Sequence, residues 1–234
     1  MADPCAFELD EVNAGPLGNP ILRSIDIEIP LGGITVLAGP SGAGKSTFLR
    51  LLNRLDDPLS GEVRCLGRSL TDWNPIELRR RVGMVFQRAP LFAGSVIDNL
   101  RVASPDLTDS EAARVLERVG LAIDDLGQDA HSLSGGEAQR MCVGRALLTE
   151  PEILLADEPT AALDSAARDQ LEELGRELAD AGVTLVWVSH HTDQLRRIAD
   201  FIVVLADGSV RATGTLAELE RLDDPIVRQS IGAR

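Results

Sequence analysis

Three short stretches hold residue types whose spacing suits the binding and cleavage of a phosphate chain. In Gly39-Pro40-Ser41-Gly42-Ala43-Gly44-Lys45-Ser46-Thr47, glycines precede a lysine and two hydroxyls. Such a loop lets backbone N–H groups turn inward on an anion, and a helix starting there aims its positive end at the same point. Lys45 is placed to reach the β- and γ-phosphates and the Ser46 hydroxyl to bind Mg²⁺. A bare strand-to-helix turn needs neither residue. Asp157-Glu158 ends the apolar run Ile153-Leu154-Leu155-Ala156. The first acid can join the metal's shell, and Glu158 can act as the general base on an attacking water. In Ser134-Gly135-Gly136-Glu137, serine and glutamate at this spacing form a capping box, so a second glycine-flanked helix start offers N–H groups to an anion.

The elements that must carry these residues are legible in the apolar pattern. Ile34–Ala38 is a short β-branched run before the glycine loop, and Phe48, Leu49, Leu51 and Leu52 follow at helical spacing. Residues 82–86, 153–157 and 183–188 predict buried strands, and the helices between them predict a largely parallel α/β sheet. Ile25, Ile27 and Ile29 alternate with polar residues, so residues 6–30 predict an antiparallel β region, and 62–66 a further strand. Helices dominate from 88 to about 150. Thr108 and Glu111 form a capping box for one that Gly120 closes, and the Ser134 helix runs to 148 before Pro151. A helix at 165–181, a hairpin around Asp207-Gly208 and a short helix at 216–222 complete the pattern. The basic run Arg79-Arg80-Arg81 reads as a solvated helix end.

Acidic residues outnumber basic ones 37 to 23, a net charge of −14, which disfavours a nucleic-acid backbone as the main partner. Cys5, Cys65 and Cys142 follow neither a disulfide nor a zinc spacing, which suggests a reducing cytoplasm. No apolar run is long enough to cross a bilayer, and the N-terminus lacks a signal-peptide pattern, so a membrane role is expected to come from a partner.

Taken together, the glycine loop, the acid-ended strand and Leu133-Ser134-Gly135-Gly136 make the chain resemble the nucleotide-binding subunit of an ABC transporter, from about Phe7 to Ala212. The resemblance implies a P-loop NTPase fold with a RecA-like core at 6–87 and 151–222 and an inserted helical subdomain at 88–150. A single ABC domain would then span 6–222, followed by a tail at 223–234. It further implies ATP and Mg²⁺ as ligands and Gly39 to Thr47 as the Walker A loop. Asp157 would belong to Walker B and Glu158 would be catalytic. Gln87 would be the Q-loop residue at metal and water, Asp164 would lie in the D-loop, and His190 would be the switch histidine, with neighbouring His191 as its one-residue alternative. Ser134 to Glu137 would complete the ATP site of a second protomer, a homodimer or a paired ATPase subunit. Polytopic permease subunits would hold the pair at the cytoplasmic face of the membrane.

Two further expectations follow. The family stacks adenine on an aromatic, yet the corresponding loop is Ala14-Gly15-Pro16-Leu17, so ATP and GTP should be hydrolysed within about tenfold of each other unless Phe7 or Pro16 compensates. Residues 91–100, Leu-Phe-Ala-Gly-Ser-Val-Ile-Asp-Asn-Leu, resemble a segment of phosphate-importer ATPases and of a family of metal exporters, with phosphate import slightly favoured. A soluble ABC protein acting on nucleic acid or ribosomes is the remaining alternative.

Overall fold

The computed structural model describes residues 5–122, 124 and 126–233. The N-terminal alternation forms β1 (Cys5–Ala14) and β2 (Leu22–Pro30), paired antiparallel with Phe7 opposite Ile29 and Leu9 opposite Ile27. These residues are buried while Asp26 and Glu28 face outward, as period two requires. Next, β3 (Ile34–Ala38), buried along its whole length, runs through the glycine loop into α1 (Lys45–Leu52). β4 (Ser60–Cys65) pairs with β1 and, with the two-residue β5 (Arg68–Ser69), completes a sheet of order β2-β1-β4-β5. The three arginines end α2 (Pro75–Arg81), where cations suit the helix's negative terminus.

After β6 (Val82–Val85) come α3 (Val96–Arg101), α4 (Asp109–Arg118) and α5 (Gly135–Leu147), the helical stretch expected within 88–150. Both expected capping boxes form, Thr108 with Glu111 and Ser134 with Glu137. A further one, Ser95 with Asp98, opens α3. The chain then alternates β7 (Ile153–Asp157), α6 (Ser165–Asp180), β8 (Thr184–Val188), α7 (Thr192–Ile198) and β9 (Phe201–Ala206). Asp207 and Gly208 both take positive φ in the turn to β10 (Ser209–Gly214), as a tight hairpin demands.

The second sheet has the order β10-β9-β3-β8-β7-β6, parallel except for β10. Successive residues feed opposite cores. Ile153 and Leu155 pack with the antiparallel sheet and α1, whereas Leu154 and Ala156 pack with the helical side. Buried on both faces, these strands read as continuous apolar runs. Beyond α8 (Leu216–Leu219), the residues expected as a tail contain α9 (Pro225–Ile231), whose Val227 and Ile231 are buried in the helical-side core.

Candidate active site

Every residue implicated in phosphate chemistry except Ser134–Glu137 and Asp164 sits at the carboxyl end of a strand in the row β3-β8-β7-β6. Gly39 follows β3, Ser189 and His190 follow β8, Asp157 ends β7 with Glu158 directly after it, and Gln87 stands two residues past β6. Ligands of open parallel sheets bind beyond these ends.

The glycine loop is fixed by close approach as well as by sequence. Gly39 has φ of 136°, and a Cβ there would run into the carbonyl oxygen of Leu205 on β9. Gly44, the N-cap of α1 at φ 100°, lies against Leu22 and Ile21, so the β1–β2 loop borders the same site. Lys45 Nζ is tethered across the loop by hydrogen bonds to the carbonyl oxygens of Gly39 and Pro40, both at 2.9 Å. Burial lowers its pKa, and the Glu158 and Asp157 carboxylates act against that shift.

Asp157 is buried, and its Oδ1 has no hydrogen-bond partner. Burial raises its pKa, opposed by a hydrogen bond from Ser46. An orphaned carboxylate oxygen beside a serine hydroxyl is a hard-oxygen donor set that fits Mg²⁺, which takes one or two carboxylates and fills its shell with phosphate and water. Glu158 has φ of 47°, a left-handed backbone that costs a non-glycine residue roughly 1–2 kcal/mol. Two side chains bracket its carboxylate. His190 Nε2 lies 2.6 Å from Oε1, and Gln87 Nε2 donates to Oε2 at 3.2 Å. His191 instead stands at the N-cap of α7, its N–H bonded to Ser189 Oγ at 3.0 Å, so geometry separates the two histidines.

Ser134 and Gly135 are exposed at the start of α5, and Gly136 packs by the Ala162 carbonyl and Leu163. That helix start is therefore placed beside the turn leading to Asp164. Asp164 caps α6, its Oδ1 accepting from Ala167 N at 2.9 Å. Phe7 is fully buried within the antiparallel sheet and is unavailable to a nucleotide base. In the loop beside Gly44, Leu17 is 92% exposed, and Pro16 and Ile21 are exposed as well. Gln139, which carried no signal in the sequence, is buried on α5 and donates to the Phe86 carbonyl at 2.9 Å, tying that helix to the residue before Gln87.

A sequence profile described as "ABC transporter" matches residues 22–161. ABC transporter I family member 17 of Arabidopsis thaliana is 39% identical over 217 residues, covering 91% of this chain and 82% of that protein. Nickel import ATP-binding protein NikO of Rhodobacter capsulatus is 41% identical over 231 residues, 92% of this chain and 91% of its own. Phosphate import ATP-binding protein PstB 2 of Mycobacterium tuberculosis is 38% identical over 222 residues, 88% and 80%. Among solved structures, a bacterial Atm1-family ABC exporter with ATP bound superposes with a TM-score of 0.90 at 27% identity. It covers 98% of this chain, which spans 42% of the exporter chain. The chain belongs to the ABC transporter family as an ATP-binding subunit of the kind that hydrolyses ATP to power transport.

Proposed function

We propose that two ATPase subunits, two copies of this chain or this chain with a paired one, close around two MgATP and drive solute movement through separate permease subunits at the cytoplasmic face of a membrane. The observation that carries the hydrolytic half is the Glu158 carboxylate, bracketed by Gln87 and His190 beside the orphaned oxygen of Asp157. The loop from Gly39 to Thr47 binds the phosphates through its N–H groups and Lys45. Ser46, Asp157 and Gln87 would hold Mg²⁺, which when bound screens the charge on the phosphates. Glu158 orients the attacking water and takes its proton, while His190 fixes the carboxylate and meets the γ-phosphate side. Ser134 to Glu137, at a helix start where Ser134 and Gly135 are exposed, closes over the nucleotide of the opposite subunit, and Asp164 shapes the neighbouring turn.

The permease half is supported by an apolar groove of about 400 Å³ between the sheet and the helical subdomain, lined by Met84, Phe86, Phe92 and Val102. Phe92 is 48% exposed, with the Arg145 guanidinium 4.9 Å from its ring centre. Buried Asn99 shapes this edge, bonding the backbone N–H and carbonyl of Phe92 and the Ser95 carbonyl. No helix among the described residues is long and apolar enough to cross a membrane. Phosphate import is the cargo favoured by residues 91–100, and the nickel-import relative makes a metal cation the competitor.

Glu158→Gln is expected to cut ATP turnover by at least about 100-fold while ATP still binds. Normal turnover in that variant removes Glu158 from its role. Copurification with a polytopic membrane protein supports the transport reading, and salt-sensitive RNA or DNA binding without such a partner overturns it.

A further inference from the structure

A buried polar chain links the loops of Glu158 and His190 from below. Thr160, two residues past Glu158, is 2% exposed, and Gln194, in the first turn of α7 four residues past His190, is 1% exposed. Gln194 Nε2 donates to Thr160 Oγ1 at 3.2 Å and to Glu172 Oε1 at 2.9 Å. Glu172, on α6 and 7% exposed, is gripped by Arg197 of α7 through Nε to Oε2 at 2.9 Å and Nη2 to Oε1 at 2.8 Å.

We infer that Thr160 and Gln194 are positioning residues for hydrolysis, their hydrogen bond setting the spacing between the Glu158 loop and the His190 loop. The inference rests on the reading of Glu158 and His190 as the hydrolytic pair. Three observations carry it. The turn after Glu158 is closed by Ala161 N to Glu158 O at 3.1 Å and Leu163 N to Thr160 O at 3.2 Å, so anchoring Thr160 anchors Glu158. Glu158 itself sits at positive φ, a backbone state that persists only where its surroundings hold it. Stability alone gives little reason for this arrangement, because Arg197 is half-exposed and an ion pair open to solvent on one side contributes little. What it supplies is direction: the Arg197–Glu172 fork fixes the Gln194 amide, and the amide fixes the threonine hydroxyl.

The test compares Thr160→Val, which removes the hydroxyl at nearly constant volume, with Thr160→Ser, which keeps it, in the full chain. We expect Thr160→Val to lower kcat for ATP about tenfold with KM and thermal midpoint little changed, and Thr160→Ser to stay within about twofold of the parent. Gln194→Leu should give the same kcat loss, and the Thr160→Val/Gln194→Leu double variant no more than the worse single one. Unchanged kcat in Thr160→Val, an equal loss in Thr160→Ser, or multiplicative losses in the double variant would overturn the inference. A kcat loss accompanied by a raised KM and a lower thermal midpoint would also overturn it, as a merely structural role. Glu158→Gln separates the two levels: if it keeps turnover, the hydrolytic reading fails, whereas if it loses turnover and Thr160→Val does not, only the positioning role fails.

Discussion

Leu17 is exposed in the loop beside Gly44, so it is a side chain through which base recognition can be altered without touching the phosphate machinery. Leu17→Tyr is expected to tighten ATP and GTP binding about tenfold, because base–aromatic stacking is worth roughly 1–3 kcal/mol and every purine offers a face. Calorimetric titration of each nucleotide checks this, and ATP and GTP turnover in the parent should agree within about tenfold. The opposite edge of the site tolerates nothing: Gly39→Ala must displace the Leu205 carbonyl or the loop. The site was legible where its chemistry is contiguous, as in Lys45-Ser46 or Asp157-Glu158, since residue type and spacing there specify the ligand. Thr160 and Gln194 were not, because 34 positions separate them and only the pairing of β7 with β8 brings their loops side by side.

Helix starts recur as a device at the scale of elements. Glu111, Glu137 and Asp98 are held below the usual carboxylate range by hydroxyl and backbone N–H donors of Thr108, Ser134 and Ser95, and Glu218 likewise by the N–H and hydroxyl of Thr215. A depressed folded pKa means the stabilisation is fully present above the unfolded value and fades as pH falls through the folded one. Denaturant titrations should therefore show stability falling from about pH 5 towards about pH 3, less steeply in Thr108→Ala. That variant should also lose about 1 kcal/mol near neutral pH with unchanged ATPase activity. The boxes at Thr108 and Ser134 could be read in advance because they use glutamate ahead of long periodic helices, whereas Thr215 and Glu218 open the four-residue α8. The Ser95 box, which uses aspartate, departs from that pattern. Helix α7 also lacked a start signal, since His191 caps it without a side-chain bond, and α9 spans too few residues for periodicity to emerge.

For the molecule as a whole, the two halves of the chemistry sit on different elements. The glycine loop and Glu158 occupy the sheet's carboxyl end, while Ser134 opens α5 beside the Ala162–Leu163 turn. Ser134→Ala is therefore expected to leave ATP binding to the isolated subunit intact and to reduce turnover of the assembled pair at least about tenfold, read by nucleotide titration against steady-state hydrolysis. Equal loss of both would place Ser134 in its own subunit's site.

The central position of β3 also governs how the protein is made. Both its edges are filled by strands that begin at Thr184 and Phe201, late in the chain. While the ribosome is still adding the middle of the chain, the strand that carries the glycine loop has no neighbour on either side, and Gly39 has no Leu205 to rest against. The complete phosphate cradle thus forms only once synthesis has passed the last parallel strand.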